Sequence, residues 1–115
     1  MKKISLVIPM YNEEAMVSLL FEALEERLIN SLKANYDVEV VCINDGSKDQ
    51  TLELLKKEKE NRSYLTIVNL SRNWGQEAAV RAGLLTATGD CVIPMDADLQ
   101  DPPEIIPEML KMWEE

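Results

Sequence analysis

Histidine is absent from this 115-residue sequence, and cysteine occurs only twice. A zinc-type site built on two cysteines would need further ligands such as imidazoles, so the sequence supplies no such site. Cys42 and Cys91 both lie inside apolar, β-branched runs, where a free thiol behaves as a small hydrophobic group. Both cysteines are therefore expected to be reduced and buried.

Positive charge is also scarce. Lysine and arginine total 12 against 21 acidic residues, which gives a net charge of −9 and an isoelectric point near 4.5. Such a chain offers no basic stripe for phosphates, which argues against direct nucleic-acid binding. An anionic ligand would need local help from a cation or from backbone N–H groups.

Long apolar runs are missing as well. None approaches the roughly 20 residues that a membrane span requires. The apolar stretch that follows Lys2 and Lys3 is too short and too interrupted for a signal peptide. The hydrophobic fraction of 46% is nonetheless that of an ordinary globular domain. The chain as given is expected to be one soluble, cytoplasmic domain with a single core.

Four short apolar runs are the candidate β-strands, at 4–10, 38–44, 65–70 and 91–95. Near-continuous apolarity is typical of strands covered on both faces, as in a parallel sheet. Helical spacing predicts four helices, at 13–32, 49–60, 75–89 and 104–113. Asn12 is predicted to cap the start of the first helix and Gly89 to end the third. Pro107 is compatible with the last helix only in its first turn.

The alternation of strand and helix predicts an α/β fold with right-handed crossovers. We expect a Rossmann-like open parallel sheet in the order 3-2-1-4, with helices on both faces. Ligands of such sheets bind beyond the carboxyl ends of the strands, here between the first and fourth. The phosphate motifs G-x-x-x-x-G-K-[ST] and G-x-G-x-x-G are both absent from the sequence, which disfavours the usual phosphate loops.

The loops after the first three strands carry polar residues that have two interpretations. Asn12 suits a helix start, and Asp45 with Ser47 suits a tight turn. Asp45 could instead accept hydrogen bonds from a base or a ribose. Arg72 beside a helix that opens at Gly75 suits either a solvated surface or an anion.

The fourth loop, in the stretch CVIPMDADLQDPPE, begins with two aspartates one residue apart. Asp96 and Asp98 leave a buried strand together, so both carboxylates can approach one cation. Hard oxygen ligands suit Mg²⁺ or Mn²⁺, which bind through one or two carboxylates plus substrate phosphates. Gln100 could add a neutral oxygen. A bound cation would also explain why a chain of net charge −9 gathers carboxylates at this edge, because the cation would attract a diphosphate.

Together the four loops resemble family 2 glycosyltransferases of the GT-A fold. The matching stretches are LVIPMYNEE, INDGSKDQT, LSRNWGQEAAVRAGLLTATGD and VIPMDADLQDPPE. They look most like the branch that transfers sugars to polyprenyl phosphates, such as bactoprenol glucosyltransferases and dolichyl-phosphate mannose synthases. The resemblance extends from Ile4 to about Met109.

The resemblance implies a site and a reaction. The nucleotide-sugar-binding residues would be Pro9, Tyr11, Asn12, Glu13, Asp45, Ser47, Arg72, Asn73, Gly75, Gln76 and Asp96. The metal ligands would be Asp96, Asp98 and Gln100, with Asp98 also catalytic. The reaction would be inverting transfer from a nucleotide sugar, preferably a UDP-sugar and otherwise a GDP-sugar, to a polyprenyl phosphate.

Family members continue beyond the length of this chain into an acceptor-binding half. Residues 1–115 are therefore interpreted as the nucleotide-sugar-binding part of a larger enzyme, inactive alone and able to self-associate through an uncovered apolar surface. The full-length protein would act at the cytoplasmic face of a membrane. Two alternatives stay open: a nucleotide-binding or interaction module without catalysis, and a Mg²⁺-dependent phosphatase.

Overall fold

The computed structural model describes residues 1–98 and 105–114, which form one four-stranded parallel sheet flanked by helices. The strands are β1 (Lys3–Met10), β2 (Asp37–Asp45), β3 (Leu65–Leu70) and β4 (Cys91–Pro94). Their order is β3-β2-β1-β4, and each neighbouring pair is parallel. The predicted fold class and strand order are confirmed. None of the described helices has the length and apolar character needed to cross a membrane.

The helices are α1 (Val17–Leu24), α2 (Asn30–Leu32), α3 (Thr51–Asn61), α4 (Gln76–Thr86) and α5 (Ile106–Glu114). A π-helical turn, Glu25–Ile29, joins α1 to α2, so together they make the single long helix that the sequence predicts. Pro107 is the second residue of α5 and so lies in its first turn, as required. The predicted start of α5 at about Glu104 lies outside the described residues.

Two predicted helix boundaries are wrong. Asn12 does not cap α1, whose N-cap is Met16; Asn12 instead has a positive φ of 51° and accepts a hydrogen bond from the Lys48 amide at 2.8 Å. Gly89 does not end α4, because the chain is already extended at Ala87. Both residues instead have partners distant in the sequence, because the Gly89 amide donates to Ser5 Oγ at 2.9 Å.

The core has two parts, one on each face of the sheet. The larger one packs α1, α3 and α5 against one face of the sheet and contains the fully buried Phe21 and Leu55. On the other face α4 packs through Ala79 and Gly83, and a Cβ added to Gly83 would lie 2.4 Å from Val7 Cγ1. The small residues of α4 therefore bring it close to the sheet, as predicted. Its outer side leaves Leu85 83% exposed, and self-association stays a prediction.

The two cysteines are free. Cys42 is fully buried, and burial raises the pKa of its thiol to about 12. Cys91, on the edge strand β4, is only half-buried. The prediction of buried reduced thiols is confirmed for Cys42 and in part for Cys91.

A polar cluster ties the turn before β4 to the amino ends of β1 and β2. The fully buried Ser5 donates its hydroxyl hydrogen to Glu39 Oε1 at 2.7 Å and accepts the Gly89 amide at 2.9 Å. The Thr88 amide also donates to Glu39, at 3.0 Å, and the Lys3 ammonium lies 3.8 Å from the same carboxylate. This end of the sheet is thus closed by hydrogen bonds, whereas the carboxyl end opens into a cleft.

This cluster predicts a pH-dependent contribution to stability. Burial alone would raise the pKa of Glu39, but the Thr88 amide, the Ser5 hydroxyl and Lys3 outweigh it and hold the pKa below the usual 4.5. A carboxyl with a lowered folded pKa stabilises the fold above its unfolded pKa and loses that contribution as pH falls through the folded pKa. We expect Glu39→Gln to lower the free energy of unfolding by about 1–2 kcal/mol at neutral pH.

The difference between wild type and Glu39→Gln should shrink when urea unfolding is repeated below about pH 4. Asp37→Asn, at an exposed position two residues away, is the matched control and should change stability little at either pH. A Glu39→Gln deficit that is the same at both pH values would contradict the assignment.

Candidate functional site

A cleft of about 530 Å³ opens at the carboxyl ends of β1 and β4, where the strand order reverses. Its lining comes from the four loops that follow the strands. The lining residues are Pro9, Met10, Tyr11, Glu13, Asp45, Asn73, Gly75, Gln76, Asp96, Ala97 and Asp98. This is the position that the sequence predicts for a ligand site in an open parallel sheet.

Asp96 and Asp98 both line this cleft. The strand pairing continues one residue past β4, because the Met95 amide donates to the Val7 carbonyl at 2.9 Å. Met95 and Ala97 are buried in the large core, whereas Asp96 is half-buried and Asp98 is exposed. The alternation anchors the segment through its apolar residues and leaves the two carboxylates in the cleft.

The Glu13 carboxyl lies in the same acidic environment. Burial raises the pKa of Glu13, and the nearby charges of Asp98 and Asp49 raise it further. A divalent cation would relieve this repulsion, and carboxylate oxygens are the donors that Mg²⁺ and Mn²⁺ take. In residues 1–98 and 105–114 no group of three or more acidic or thiol side chains is arranged to hold a metal ion. Gln100 lies outside the described residues.

Asp45 organises the opposite wall of the cleft. It is only 3% exposed, and its carboxylate accepts the Trp74 amide at 2.8 Å, the Gly75 amide at 3.1 Å and the Asn73 side-chain amide at 3.1 Å. These bonds join the end of β2 to the loop between β3 and α4. They place Asn73, Gly75 and the start of α4 across from the two aspartates.

Gly46 lets the same two loops touch. Its φ is +67°, and an added Cβ would lie 2.2 Å from both the Arg72 carbonyl carbon and the Asn73 nitrogen. No side chain larger than hydrogen fits between these backbones. The glycine of the NDGS stretch is thus required by a close approach as well as by its turn conformation.

Three of the predicted site residues do not line this cleft. The Asn12 amide donates to Ser47 Oγ at 2.9 Å, so both residues join two loops behind the cleft wall. The Arg72 guanidinium stacks on the Trp74 ring, 3.8 Å from its centroid, and borders a separate cavity of about 470 Å³ between the ends of β2 and β3. The predicted ligand contacts of these three residues stay predictions.

Sequence reasoning missed Thr51 and Asp49, which connect the loop after β1 to the start of α3. Thr51 is fully buried and accepts the Glu13 amide at 2.9 Å. Asp49 accepts the Glu14 amide at 3.2 Å. The Asp-x-Thr spacing before α3 was a signal of local capping, but nothing in the sequence showed its partner across 35 or more residues.

An open parallel sheet with a polar cleft beyond the carboxyl ends of its strands defines a doubly wound α/β protein, and ligands of this class bind at that edge. The family 2 glycosyltransferase model matches residues 5–115. The chain belongs to this family. Membership of a transferase family is inconsistent with the phosphatase alternative.

A relative and two solved structures illustrate the similarity. A prophage bactoprenol glucosyl transferase homolog from Escherichia coli is 43% identical over 112 residues, which cover 97% of this chain and 36% of the relative. A mannosyltransferase from Pyrobaculum calidifontis in complex with GDP-Man and Mn²⁺ superposes with a TM-score of 0.78 at 24% identity, over 97% of this chain and 32% of that one. TarS from S. aureus in complex with UDP gives 0.76 at 27% identity, with the same coverage.

These similarities fix the fold and the family. The structural neighbours are GT-A glycosyltransferases, and the chain spans about a third of the length of the proteins that it matches. The prediction that the chain belongs to glycosyltransferase family 2 and has a GT-A fold is confirmed. GDP-Man with Mn²⁺ and UDP are ligands of the matched proteins in those complexes.

Proposed function

We propose that this chain is the donor-binding part of a metal-dependent, inverting glycosyltransferase that moves a sugar from a nucleoside diphosphate to a polyprenyl phosphate. One observation carries the proposal: Asp96 and Asp98 enter a cleft whose other wall holds Asn73, Gly75 and Gln76. A similar protein of 43% identity is named a bactoprenol glucosyl transferase homolog, which supports the lipid-phosphate acceptor.

The cation would be Mg²⁺ or Mn²⁺, held by Asp96 and Asp98. When bound, it would neutralise the charge that builds on a departing diphosphate. The start of α4 at Gln76 lies on the same cleft, and the N–H groups of a first helical turn favour phosphate. Two acidic side chains thus become compatible with a ligand that carries at least two negative charges.

The nucleoside would occupy the part of the cleft lined by Pro9, Tyr11 and Asp45. Tyr11 is 41% exposed and offers a flat aromatic face to a base or sugar. The solved neighbours include one complex with GDP-Man and one with UDP, so our preference for uridine over guanosine rests on the resemblance to the polyprenyl-phosphate branch alone. Asn73, Gly75 and Gln76 would then lie toward the diphosphate and the sugar.

The acceptor needs little activation in this reaction. A phosphate monoester has a second pKa of about 6, so it is mostly ionised at neutral pH. Its oxygen forms the new bond to the anomeric carbon as the bond to the nucleoside diphosphate breaks, which inverts that centre. The acceptor site would lie in the remainder of the full-length protein, which we place at the cytoplasmic face of a membrane, and the chain of residues 1–115 would bind donor without turning over.

Calorimetric titration with UDP and GDP, with and without Mn²⁺, tests this function. We expect UDP to bind at least about tenfold more tightly with the cation than without it, because the carboxylates and the diphosphate repel each other in its absence. The affinity for GDP should be lower than that for UDP. The absence of metal-dependent binding to either nucleotide would leave a non-catalytic interaction module as the explanation.

A further inference from the structure

Two loops behind the cleft are joined by hydrogen bonds in both directions. The amides of Asn12, Glu13 and Glu14 donate to Ser47 Oγ, Thr51 Oγ1 and Asp49 Oδ2 at 2.9, 2.9 and 3.2 Å. In return, Asn12 Oδ1 accepts the Lys48 amide at 2.8 Å and Glu14 Oε2 accepts the Gln50 amide at 3.0 Å. We call residues 12–14 and 47–51 together the loop latch.

Thr51 is the buried centre of the loop latch. It is 0% exposed, and its hydroxyl accepts the Glu13 amide while donating to Asp49 Oδ1 at 2.5 Å. Asp49 in turn accepts the Thr51 amide at 2.9 Å and the Glu14 amide at 3.2 Å. One hydroxyl therefore connects the first loop to the Asp49 carboxylate just before α3.

Among the three residues of the first loop, the side chains divide between two tasks. Asn12 and Glu14 direct theirs at the second loop. Glu13 directs its carboxylate into the cleft, near Asp98, and Tyr11 lines the cleft just before it. The backbone of Glu13 is held by Thr51 while its side chain faces the ligand space, so a change at Thr51 would move Glu13 without touching the ligand.

We propose that Thr51 is a positioning residue of the donor site, which holds Tyr11 and Glu13 in the cleft through the Glu13 amide and Asp49. This role rests on the proposed function. Thr51 itself does not line the cleft, so it acts only through the first loop. A misplacement of about 1 Å in such a wall can cost up to about a hundredfold in function.

Thr51→Val and Thr51→Ser separate the hydroxyl from the shape of the side chain. Valine keeps the volume but leaves the Glu13 amide without its acceptor, whereas serine keeps the hydroxyl. In the chain of residues 1–115 we expect Thr51→Val to weaken Mn²⁺-dependent UDP binding by about tenfold and Thr51→Ser by no more than about twofold.

Ser5→Ala is the matched control, because it also removes a fully buried, doubly bonded hydroxyl but at the closed end of the sheet. Ser5→Ala should lower the melting temperature by an amount similar to Thr51→Val and leave UDP affinity unchanged. Amide hydrogen exchange in the free chain supplies a second readout: the Glu13 amide should lose protection in Thr51→Val and keep it in Ser5→Ala.

The possible results distinguish a failure of the positioning role of Thr51 from a failure of the proposed function. Unchanged UDP affinity in Thr51→Val, or an equal affinity loss in Ser5→Ala, overturns the positioning role and leaves the proposed function intact. A wild-type chain that binds no nucleotide diphosphate with Mn²⁺ overturns the proposed function and the positioning role together, even where Glu13 exchange changes as expected.

Discussion

Asp98→Asn is expected to weaken Mn²⁺-dependent UDP binding by about a hundredfold or more, because it replaces an anionic metal ligand by a neutral amide. The exposed side chain of Asp98 lies outside the core, so the melting temperature should fall by no more than a few degrees. Calorimetry with Mn²⁺ and UDP, together with thermal unfolding of the free chain, measures both quantities.

Asp37→Asn makes the same change in charge at the exposed start of β2, at the opposite end of the sheet, and controls for the loss of net charge. It should leave UDP affinity within about twofold of wild type, since distant exposed charges are screened by salt. A parallel loss of affinity and melting temperature in Asp98→Asn would identify the aspartate pair as structural. An unchanged affinity would remove Asp98 from the metal site.

Gly46→Ala is expected to destabilise the fold by about 3 kcal/mol or more, the largest stability effect of any single change considered. Alanine adds strain at a φ of +67° and places a methyl group 2.2 Å from the backbones of Arg72 and Asn73. Because backbone on both sides forms this contact, relief requires the β2 and β3 loops to separate. Urea unfolding of the free chain measures the loss.

Gly75→Ala separates strain from the clash. Gly75 has a φ of +99°, but nothing lies within 4 Å of an added Cβ, so we expect only the conformational cost of about 1–3 kcal/mol. Equal losses in the two variants would show that the loops near Gly46 yield easily. In that case the contact between Gly46 and Arg72 would not hold the cleft wall in place.

The sheet could be predicted from the sequence because its strands are buried on both faces. The run at β1 stays apolar almost throughout, and Ile4, Leu6 and Ile8 enter one core while Val7 enters the other. Two-sided burial gives a parallel sheet, and a parallel sheet needs helical crossovers, so the topology followed from local patterns. The position of the cleft then followed from the strand order.

The hydrogen-bond partners of the site could not be predicted in the same way. The NDGS stretch fits a turn whether or not a ligand binds, and nothing local indicates that Asp45 accepts amides 29 and 30 residues further on. Asn12 likewise has the composition of a helix cap, but its partner is the Lys48 amide. Propensity describes one residue in its own segment, whereas these roles depend on which loops the completed sheet brings together.

The most direct test is to locate the cation. Crystals of the chain grown with UDP and Mn²⁺ would be measured on both sides of the manganese absorption edge. We expect an anomalous peak at coordination distance from carboxylate oxygens of Asp96 and Asp98 and from the diphosphate. A bound diphosphate with the peak elsewhere, or with both aspartates turned away from the metal, would contradict it.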